Sequence, residues 1–421
     1  MATHGGAEGE PRTSLRILCV ADERPWPERS GYRIRLANVL RALARVGTVD
    51  LLVLHGDAAD AAAMDLGVPA GEPVRSVRSA PLPVPVRTRA GILPWLRGDL
   101  PRRVAWRDWS AAGDAFTRAL ADGYDLVWWS HLDTWVMLGE DLAVPAVVDL
   151  DNLEDRWLDG RRALRRGEGM LGRVRATVAG RLDVIDAARW RRLQARAGTV
   201  AAAAVVCTEA DRAEVGGARV RVVPNGFVTP EHPIGRPDRP VPAGGGVLAF
   251  VGLQTYEPNV DAVRFLVHEV LPHLRRTRPD VEVHLIGRAG PEVEALAGPG
   301  VRVLGEVDDL AGALAAVDLV VVPIRFGAGT RIKVLEAMAH RIPIVTTSIG
   351  CEGLGLHDAV EAVIADDPVA FAAACDRLLD DPTARVSMAD AAARAHAERY
   401  DWSAIGDGIA AIAREAAGAT T

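Results

Sequence analysis

The stretch from Leu319 to His340, LVVVPIRFGAGTRIKVLEAMAH, constrains the fold of this chain more than any other. It opens with a β-branched apolar run, continues through glycines at positions 327 and 329, and ends with apolar residues at helical spacing. Strand, glycine loop and helix in this order place backbone N–H groups at a helix start, where proteins bind phosphate. The stretch therefore predicts a phosphate site at the edge of an α/β sheet.

The helix of this stretch should begin near Thr330, because threonine is a good N-cap residue. Its apolar positions fall on one face and would point to the core: Ile332, Leu335, Met338 and Ala339. Arg331 and Lys333 lie in the first turn, where a cation opposes the helix dipole unless an anion lies nearby. A bound diphosphate would remove this conflict, so both side chains are candidate phosphate ligands.

Lys333 is the only lysine among the 49 lysines and arginines of the chain. An ammonium and a guanidinium are not interchangeable at a phosphate oxygen, so we interpret Lys333 as a catalytic phosphate ligand. Chance and a solvated helix face are the alternative. Glu336, one turn later, could accept two hydrogen bonds from a vicinal diol such as a ribose. An ordinary exposed salt bridge with Lys333 is the alternative for this glutamate.

Length and composition limit the classes of protein that the chain can represent. With 421 residues, 49% of them hydrophobic and 25% charged, it should form two or three globular domains. The net charge of −7 indicates no overall tendency to bind nucleic acid. The cysteines lie far apart, without the spacing of a metal site: Cys19, Cys207, Cys351 and Cys375. We therefore expect no metal and a reducing compartment.

Targeting features lead to a similar expectation. Residues 1–14 lack the apolar core of a signal peptide and are expected to form a disordered tail. No apolar run approaches the roughly 20 residues that cross a bilayer. The preference for Ala, Gly and Arg over Lys suggests a bacterial genome of high GC content. A cytoplasmic protein is the expectation.

One segment, 156–196, is rich in arginine and has the pattern of amphipathic helices. It has two interpretations. The segment could contact a membrane surface and place the protein at the inner face of the membrane. Alternatively, it is a solvated helix pair whose charge is balanced by Glu168, Asp183 and Asp186. We favour the second interpretation.

Short apolar runs of strand length recur along the whole chain, separated by segments of helix length. In the first half they are 15–21, 49–54, 125–130, 144–150, 202–207 and 220–223, and in the second half 247–252, 281–287, 301–304, 319–323 and 342–346. Between the halves, 229–246 contains five prolines and three consecutive glycines, which is typical of a linker. This alternation predicts parallel sheets with helices on both faces.

The predicted fold is therefore α/β, with two doubly wound, Rossmann-like domains. The first domain spans 15–228, the linker 229–246 and the second domain 247–400, and a helix in 401–421 is expected to cross back to the first domain. Ligands of such sheets bind outside the carboxyl ends of the strands. Residues that follow strands are accordingly the candidates for a site.

Most of the second domain resembles the retaining glycosyltransferases of the GT-B fold, of the glycosyltransferase family 4 type. The matching segments are FVG at 250–252, EPNVDA at 257–262, EVLP at 269–272, LIG at 285–287, GEVDDL at 305–310, the loop and helix at 325–340 and IPIVTT at 342–347. The segments CTEADR at 207–212 and PNG at 224–226 are also similar. The resemblance implies a nucleotide-diphosphate sugar in the second domain, an acceptor in the first, and reaction in the cleft between them.

The Glu-x(7)-Glu signature of that family maps its second glutamate onto Glu336, as the implied ribose contact. Its first glutamate falls at position 328, which is Ala328 here. The carboxylate that normally touches a sugar hydroxyl is therefore missing. Backbone amides would supply the sugar contacts instead: Gly327, Ala328, Gly329 and Thr330.

Three further parts of the donor site are implied by the resemblance. Backbone groups of Gly305 and Glu306 would lie near the nucleotide base. Gly252 and Asn259 lie on another loop that faces the phosphates, where the family often has a basic residue that this chain lacks. Enzymes of this type generally use no metal clamp, so the Asp-x-Asp pattern at 149–151 is not interpreted as a metal site. No cofactor is expected beyond the donor.

The first domain contributes a smaller set of candidates. Ser30 opens the first helix, and Gly31 would let the backbone approach the donor closely, although a plain loop glycine explains it as well. His131 follows the strand at 125–130, where the family often places a histidine that contacts the transferred sugar. The candidates on the acceptor side are Ser30 and three residues that end another strand: Asp149, Asp151 and Asn152.

The function expected from these features is transfer of a sugar from a nucleotide diphosphate to a hydroxyl or amine acceptor, with retention at the anomeric carbon. The acceptor could be an envelope glycan, a lipid carrier or a secondary metabolite. Two other functions stay open: a nucleotide-sugar 2-epimerase on the same fold, and a non-catalytic nucleotide-binding partner protein.

Overall fold

The computed structural model describes residues 14–56, 67–86, 95–164, 169–327, 329 and 331–418. The strands are β1 Leu15–Ala21, β2 Gly47–Leu54, β3 Ser76–Ala80, β4 Val84–Pro85, β5 Arg107–Asp108, β6 Leu126–Trp129, β7 Ala146–Leu150, β8 Ala203–Val206, β9 Val220–Val222, β10 Val247–Val251, β11 Glu282–Ile286, β12 Val301–Gly305, β13 Leu319–Val322, β14 Ile344–Thr346 and β15 Val363–Ile364.

The helices alternate with these strands. They are α1 Gly31–Leu43, α2 Arg102–Ala105, α3 Ser110–Leu120, α4 Leu132–Leu138, α5 Glu154–Leu164, α6 Gly169–Val200, α7 Glu209–Val215, α8 Glu257–Phe265, α9 Leu271–Leu274, α10 Pro291–Glu294, α11 Leu310–Leu314, α12 Ile332–Ala339, α13 Pro368–Asp380, α14 Pro382–Arg399 and α15 Trp402–Gly418. A π-helical turn, Leu266–Val270, joins α8 to α9, and a 3₁₀ turn, Ile349–Cys351, follows β14.

Two parallel sheets organise the chain. The first has the strand order β3-β2-β1-β6-β7-β8-β9, and the second has the order β12-β11-β10-β13-β14-β15. Every described neighbouring pair in these two sheets runs parallel. The predicted α/β class with two doubly wound sheets is confirmed.

The strands are buried because helices cover both faces of each sheet. Residues of β1 alternate between two apolar clusters, with Leu18 and Val20 in one and Ile17 and Cys19 in the other. The second sheet and its helices share a single apolar cluster that includes Phe250. This double burial explains why the strands read as continuous apolar runs.

In both sheets, the order in which strands are added reverses beside a central strand. In the first sheet the strand order reverses between β1 and β6, and in the second between β10 and β13. Such switch points open a crevice at the carboxyl ends of the strands. The residues that follow β1, β6, β10 and β13 therefore face the region between the sheets.

The two halves are joined twice. The Phe227 N–H donates to the carbonyl of Tyr400 over 3.0 Å, and the Thr229 N–H donates to Asp401 Oδ2 over 2.9 Å. After this crossing, α15 returns to the first half, where its Ile405 and Ile409 share an apolar cluster with residues of α1. The linker and the last crossing thus lie side by side.

Candidate functional site

The glycine loop ends in a helix that starts later than its N-cap pattern suggested. Helix α12 begins at Ile332, and Arg331 occupies the N-cap position without a capping side-chain hydrogen bond. The expected start near Thr330 is therefore corrected, while Thr330 and Ala328 themselves lie outside the described residues. Gly327 has φ 128° and Gly329 has φ 77°, values that favour glycine. The loop thus turns sharply before the helix.

The buried face of α12 is broader than its apolar spacing suggested. Leu335, Met338 and Ala339 are buried as expected, and Val334 and Ala337 are buried with them. Ile332 was also expected in the core, and this is corrected, because it is only partly buried. A Cβ at Gly31, the first residue of α1, would lie 3.1 Å from Ile332 Cδ1. The start of α12 thus faces the start of α1 across the crevice.

Lys333 points towards the loop that follows β10. Its Nζ lies 2.7 Å from Asn259 Oδ1 and 4.0 Å from the centroid of the Phe250 ring. Burial, together with the charge of Arg331, holds the pKa of Lys333 well below its usual value. The site therefore disfavours the ammonium until an anion approaches.

Arg331 belongs to the same electropositive region. Its guanidinium is buried, and a Cβ at Gly327 would lie 3.0 Å from its Nη2. Burial lowers the pKa of Arg331. The loop between β13 and α12 therefore combines two buried basic groups with a strongly bent backbone.

Glu336 lies one turn beyond Lys333 and is half-buried. Burial raises its pKa to about 7. Among the described residues it forms no ion pair within 4.0 Å, so the exposed salt bridge with Lys333 is not formed. Its carboxylate is left to accept hydrogen bonds from a ligand.

A cavity opens beside this region at the ends of β11 and β12. It has a volume of about 480 Å³ and is lined by Arg288, Ala289, Glu294, Ala297, Val303, Leu304, Gly305 and Glu306. Gly305 and Glu306, expected near the base, therefore border a space of ligand size. Arg29, from the loop before α1, forms an ion pair of 2.8 Å with Glu306, one of the residues that line this cavity.

His131 follows β6 and lies between two carboxylates. Its Nε2 is 3.8 Å from Asp22 Oδ2, its Nδ1 is 3.9 Å from Asp151 Oδ1, and its ring stacks on Tyr32 with centroids 4.6 Å apart. Burial alone would lower the pKa of His131, but the carboxylates of Asp22, Asp151 and Asp133 outweigh it and raise that pKa.

The two flanking carboxylates are perturbed in turn. Burial raises the pKa of Asp22 to about 6, against the opposing effect of His131. Burial also raises the pKa of Asp151. Because these groups follow β1, β6 and β7, the first sheet presents a titratable cluster at its carboxyl edge.

The remaining candidates of the first half have different roles. Asp149 was expected on the acceptor side, and this is corrected: it is buried and accepts from Arg35 Nε and Nη2 over 2.9 and 2.7 Å. That ion pair fixes α1 to β7. Ser30 is the N-cap of α1, and its Oγ accepts from the Arg33 N–H over 3.3 Å.

Asn152 lies against the glycine loop. A Cβ at Gly329 would overlap Asn152 Oδ1 and would lie 2.9 Å from the carbonyl oxygen of Asp151. A Cβ at Gly160, on α5, would similarly lie 2.9 Å from Phe326 Cβ. The two sheets thus approach each other at the glycine loop itself.

The arginines of 156–196 whose side chains are described are largely paired within the first half. Arg156 contacts Asp211, Arg161 contacts Asp183, and Arg191 contacts Asp155, over 2.8 to 3.0 Å. The carboxylates of these pairs are buried, so the arginines are anchored to the first half through their partners. No described helix is long and apolar enough to span a bilayer. Within the described ranges, no group of three His, Cys, Asp or Glu side chains could hold a metal ion.

Sequence reasoning missed Asp22, Tyr32 and Arg29. Asp22 could have been found, because it follows β1 just as His131 follows β6. Arg29 gave no such signal, since its partner Glu306 is 277 positions away in the chain.

The GT-B fold is shared with solved glycosyltransferase structures. Sucrose-phosphate synthase from Thermosynechococcus elongatus aligns with a TM-score of 0.68 and 19% identity, over 96% of this chain and 100% of that one. Anabaena HepE, solved in complex with UDP-glucose, aligns with a TM-score of 0.58 and 16% identity, over 94% and 98%. At such identities the likeness concerns the fold.

The second half carries a more specific resemblance. Residues 245–381 match the family model of glycosyl transferases group 1. The D-inositol 3-phosphate glycosyltransferase of Thermobispora bispora is 30% identical over 200 residues, which are 42% of this chain and 44% of that protein. The chain spans less than half the length of the curated relatives that it matches. Residues 245–381 therefore resemble the glycosyl transferases of group 1, and the whole chain shares the GT-B fold of the solved neighbours.

Proposed function

We propose that the protein is a glycosyltransferase that moves a sugar from a nucleotide diphosphate to a hydroxyl or amine acceptor, with retention at the anomeric carbon. The donor would bind to the second half, and the acceptor would enter from the first half. The names of the relatives and the solved neighbours support the reaction class.

In this proposal, the diphosphate lies at the start of α12. Backbone N–H groups of the loop at 327–331, the helix dipole and the Lys333 ammonium would neutralise it. Glu336 would accept hydrogen bonds from the ribose, and the cavity beside Gly305 and Glu306 would hold the base. The neighbour solved with UDP-glucose supports a nucleotide-sugar donor.

The transition state explains why this arrangement suits transfer. As the glycosidic bond breaks, negative charge collects on the leaving diphosphate. Preorganised N–H groups and a buried ammonium stabilise the charge of the leaving diphosphate more than they stabilise the bound nucleotide sugar. His131, at the opposing edge, would contact the transferred sugar, while the leaving phosphate would take the acceptor proton in a front-face attack.

One observation carries the proposal. The single lysine of the chain is partly buried at a helix start, and its hydrogen-bond partner there is a neutral carboxamide rather than a carboxylate. Burial of a cation beside a neutral partner costs free energy unless an anionic ligand offsets it. A diphosphate supplies such an anion.

The first experiment is a thermal-shift screen with UDP, GDP, ADP and dTDP, because a ligand that binds the native state raises the unfolding midpoint. The nucleotide that gives the largest shift identifies the sugar donors to assay. We expect nucleotide release to depend on an added acceptor, and the product to keep the anomeric configuration of the donor by NMR. Release of a 2-epimer without an acceptor would favour the epimerase instead. Binding without turnover over a broad acceptor panel would favour a non-catalytic partner protein.

A further inference from the structure

We infer that Asn259 is a positioning residue of the donor site. It holds the Lys333 ammonium beside the loop between β10 and α8, so that this ammonium supplies the positive charge that the loop itself lacks. The inference rests on the proposed function, because it assigns a role within the same diphosphate site. Asn259 acts through Lys333 and is not itself a catalytic residue.

The hydrogen bonds of Asn259 fix which of its side-chain atoms faces the lysine. Asn259 lies in the first turn of α8, and its Nδ2 donates to the carbonyl of Leu253, in the loop between β10 and α8, over 2.8 Å. Its Oδ1 therefore faces outwards and accepts from Lys333 Nζ over 2.7 Å. The carboxamide is thus a fixed bridge between the loop after β10 and helix α12.

Gly252 provides the space for this contact. A Cβ at Gly252 would lie 2.9 Å from Lys333 Nζ and 3.1 Å from Asn259 Nδ2, and its φ of 147° is a value that other residues rarely adopt. The ammonium occupies the volume that a side chain would fill, and the Phe250 ring lies 4.0 Å below it. Phe250 of β10, Gly252 of the following loop and Asn259 of α8 therefore surround an ammonium that belongs to α12.

A neutral partner preserves the charge for a ligand. The nearby Arg325 shows the contrast, because it is bound by the carboxylates of Asp261 and Glu269 over 2.7 and 3.3 Å. Those carboxylates neutralise the guanidinium. The hydrogen-bond partner of Lys333 is instead the Asn259 carboxamide, which orients the ammonium without neutralising it. The segment 252–259 contains no lysine or arginine, and Lys333 supplies the ammonium that lies beside Gly252 and Asn259.

The test is a double-mutant cycle that combines Asn259→Leu with Lys333→Met. The Kd of the nucleotide that gives the largest shift among UDP, GDP, ADP and dTDP is measured by calorimetry for all four proteins. Leucine has the same branched framework of side-chain heavy atoms as asparagine and removes both the oxygen and the nitrogen of the carboxamide. We expect Asn259→Leu to weaken binding about tenfold when Lys333 is present, and to have no further effect in the Lys333→Met background.

A purely structural role would give the same factor in both backgrounds, and that result would overturn the inference. Unchanged affinity of Asn259→Leu would overturn it as well. If this variant does not fold, Asn259→Ser, whose hydroxyl is too short to bridge to Lys333, replaces it in the same cycle.

Asn38→Leu is the matched control, since the Asn38 carboxamide donates to a backbone carbonyl, that of Ile34, over the same 2.8 Å in the first half. It should leave the nucleotide Kd unchanged. Failure of the wild-type protein to bind any of the four nucleotides would overturn the proposed function together with this inference. If the wild type binds a nucleotide but the effects of the two substitutions on its binding free energy are additive, only this inference is overturned.

Discussion

Replacement of Lys333 by methionine should separate ligand binding from stability. Methionine keeps much of the aliphatic length and removes the ammonium that lies 4.0 Å from the Phe250 ring. A hydrogen bond to a charged group contributes about 1.5–3 kcal/mol. The variant should therefore bind its nucleotide about 10- to 150-fold more weakly.

The effect on the free protein has the opposite sign. Burial and the charge of Arg331 lower the pKa of Lys333 from 10.5, so the unfolded chain binds this proton more tightly than the native protein does. Between the lowered pKa and 10.5, the lysine makes stability rise with pH, and below that window its full penalty remains. Methionine removes the penalty. The unliganded variant should unfold at the same temperature as the wild type or higher, with the largest difference at low pH.

Thermal unfolding with and without nucleotide measures both effects. At a nucleotide concentration about 100 times the wild-type Kd, binding stabilises the wild type by about 2.7 kcal/mol, whereas a 100-fold weaker variant gains only about 0.4 kcal/mol. At roughly 2–4 °C per kcal/mol, the midpoint shift falls from roughly 5–10 °C to about 1 °C. Arg302→Met, which removes an exposed charge on β12, is the control and should keep the full shift. A Lys333→Met variant with the wild-type shift would refute the reasoning.

Three further predictions concern the same cleft. Because burial raises the pKa of Glu336 to about 7, nucleotide affinity should rise with pH from about 6 to 8 as this carboxylate ionises. Glu336→Gln should remove that rise from the pH profile of affinity measured by calorimetry. Parallel profiles of the wild type and the variant would contradict this prediction. Arg29→Ala breaks a partly exposed ion pair that joins the two halves through Glu306, and it should cost less than about 1 kcal/mol of stability while increasing the radius of gyration in small-angle scattering. An unchanged radius would show that this pair does not hold the halves together. Gly160→Leu should keep nucleotide affinity but reduce turnover, because a Cβ there would lie 2.9 Å from Phe326 Cβ and would hold the two halves apart; unaltered turnover would refute it.

The fold could be predicted from the sequence because buried parallel strands have a strong local pattern. The apolar run 15–21 has the same bounds as β1, and the runs in the second half lie within one or two residues of β10 to β14. The edge strand β3, Ser76–Ala80, was missed since its residues are mostly polar and only partly buried. The two-residue strand β15 is too short to give any pattern.

The site could be predicted only where local sequence carries the signal. Lys333 stood out because of its residue type and its place after a glycine loop. Asp149 did not reveal its partner, because Arg35 is 114 positions away and an Asp-x-Asp pattern does not show which carboxylate is buried. The contact between Asn259 and Lys333 likewise joins residues 74 positions apart. Such long-range pairs depend on the packing of the whole sheet.

The most direct test of the account is a crystal structure with the nucleotide diphosphate that gives the largest thermal shift. We expect the two phosphates at the start of α12, within hydrogen-bond distance of Lys333 Nζ and of backbone N–H groups between 327 and 332. The base should lie in the cavity beside Gly305. A nucleotide bound elsewhere, with the start of α12 empty, would contradict the central claim.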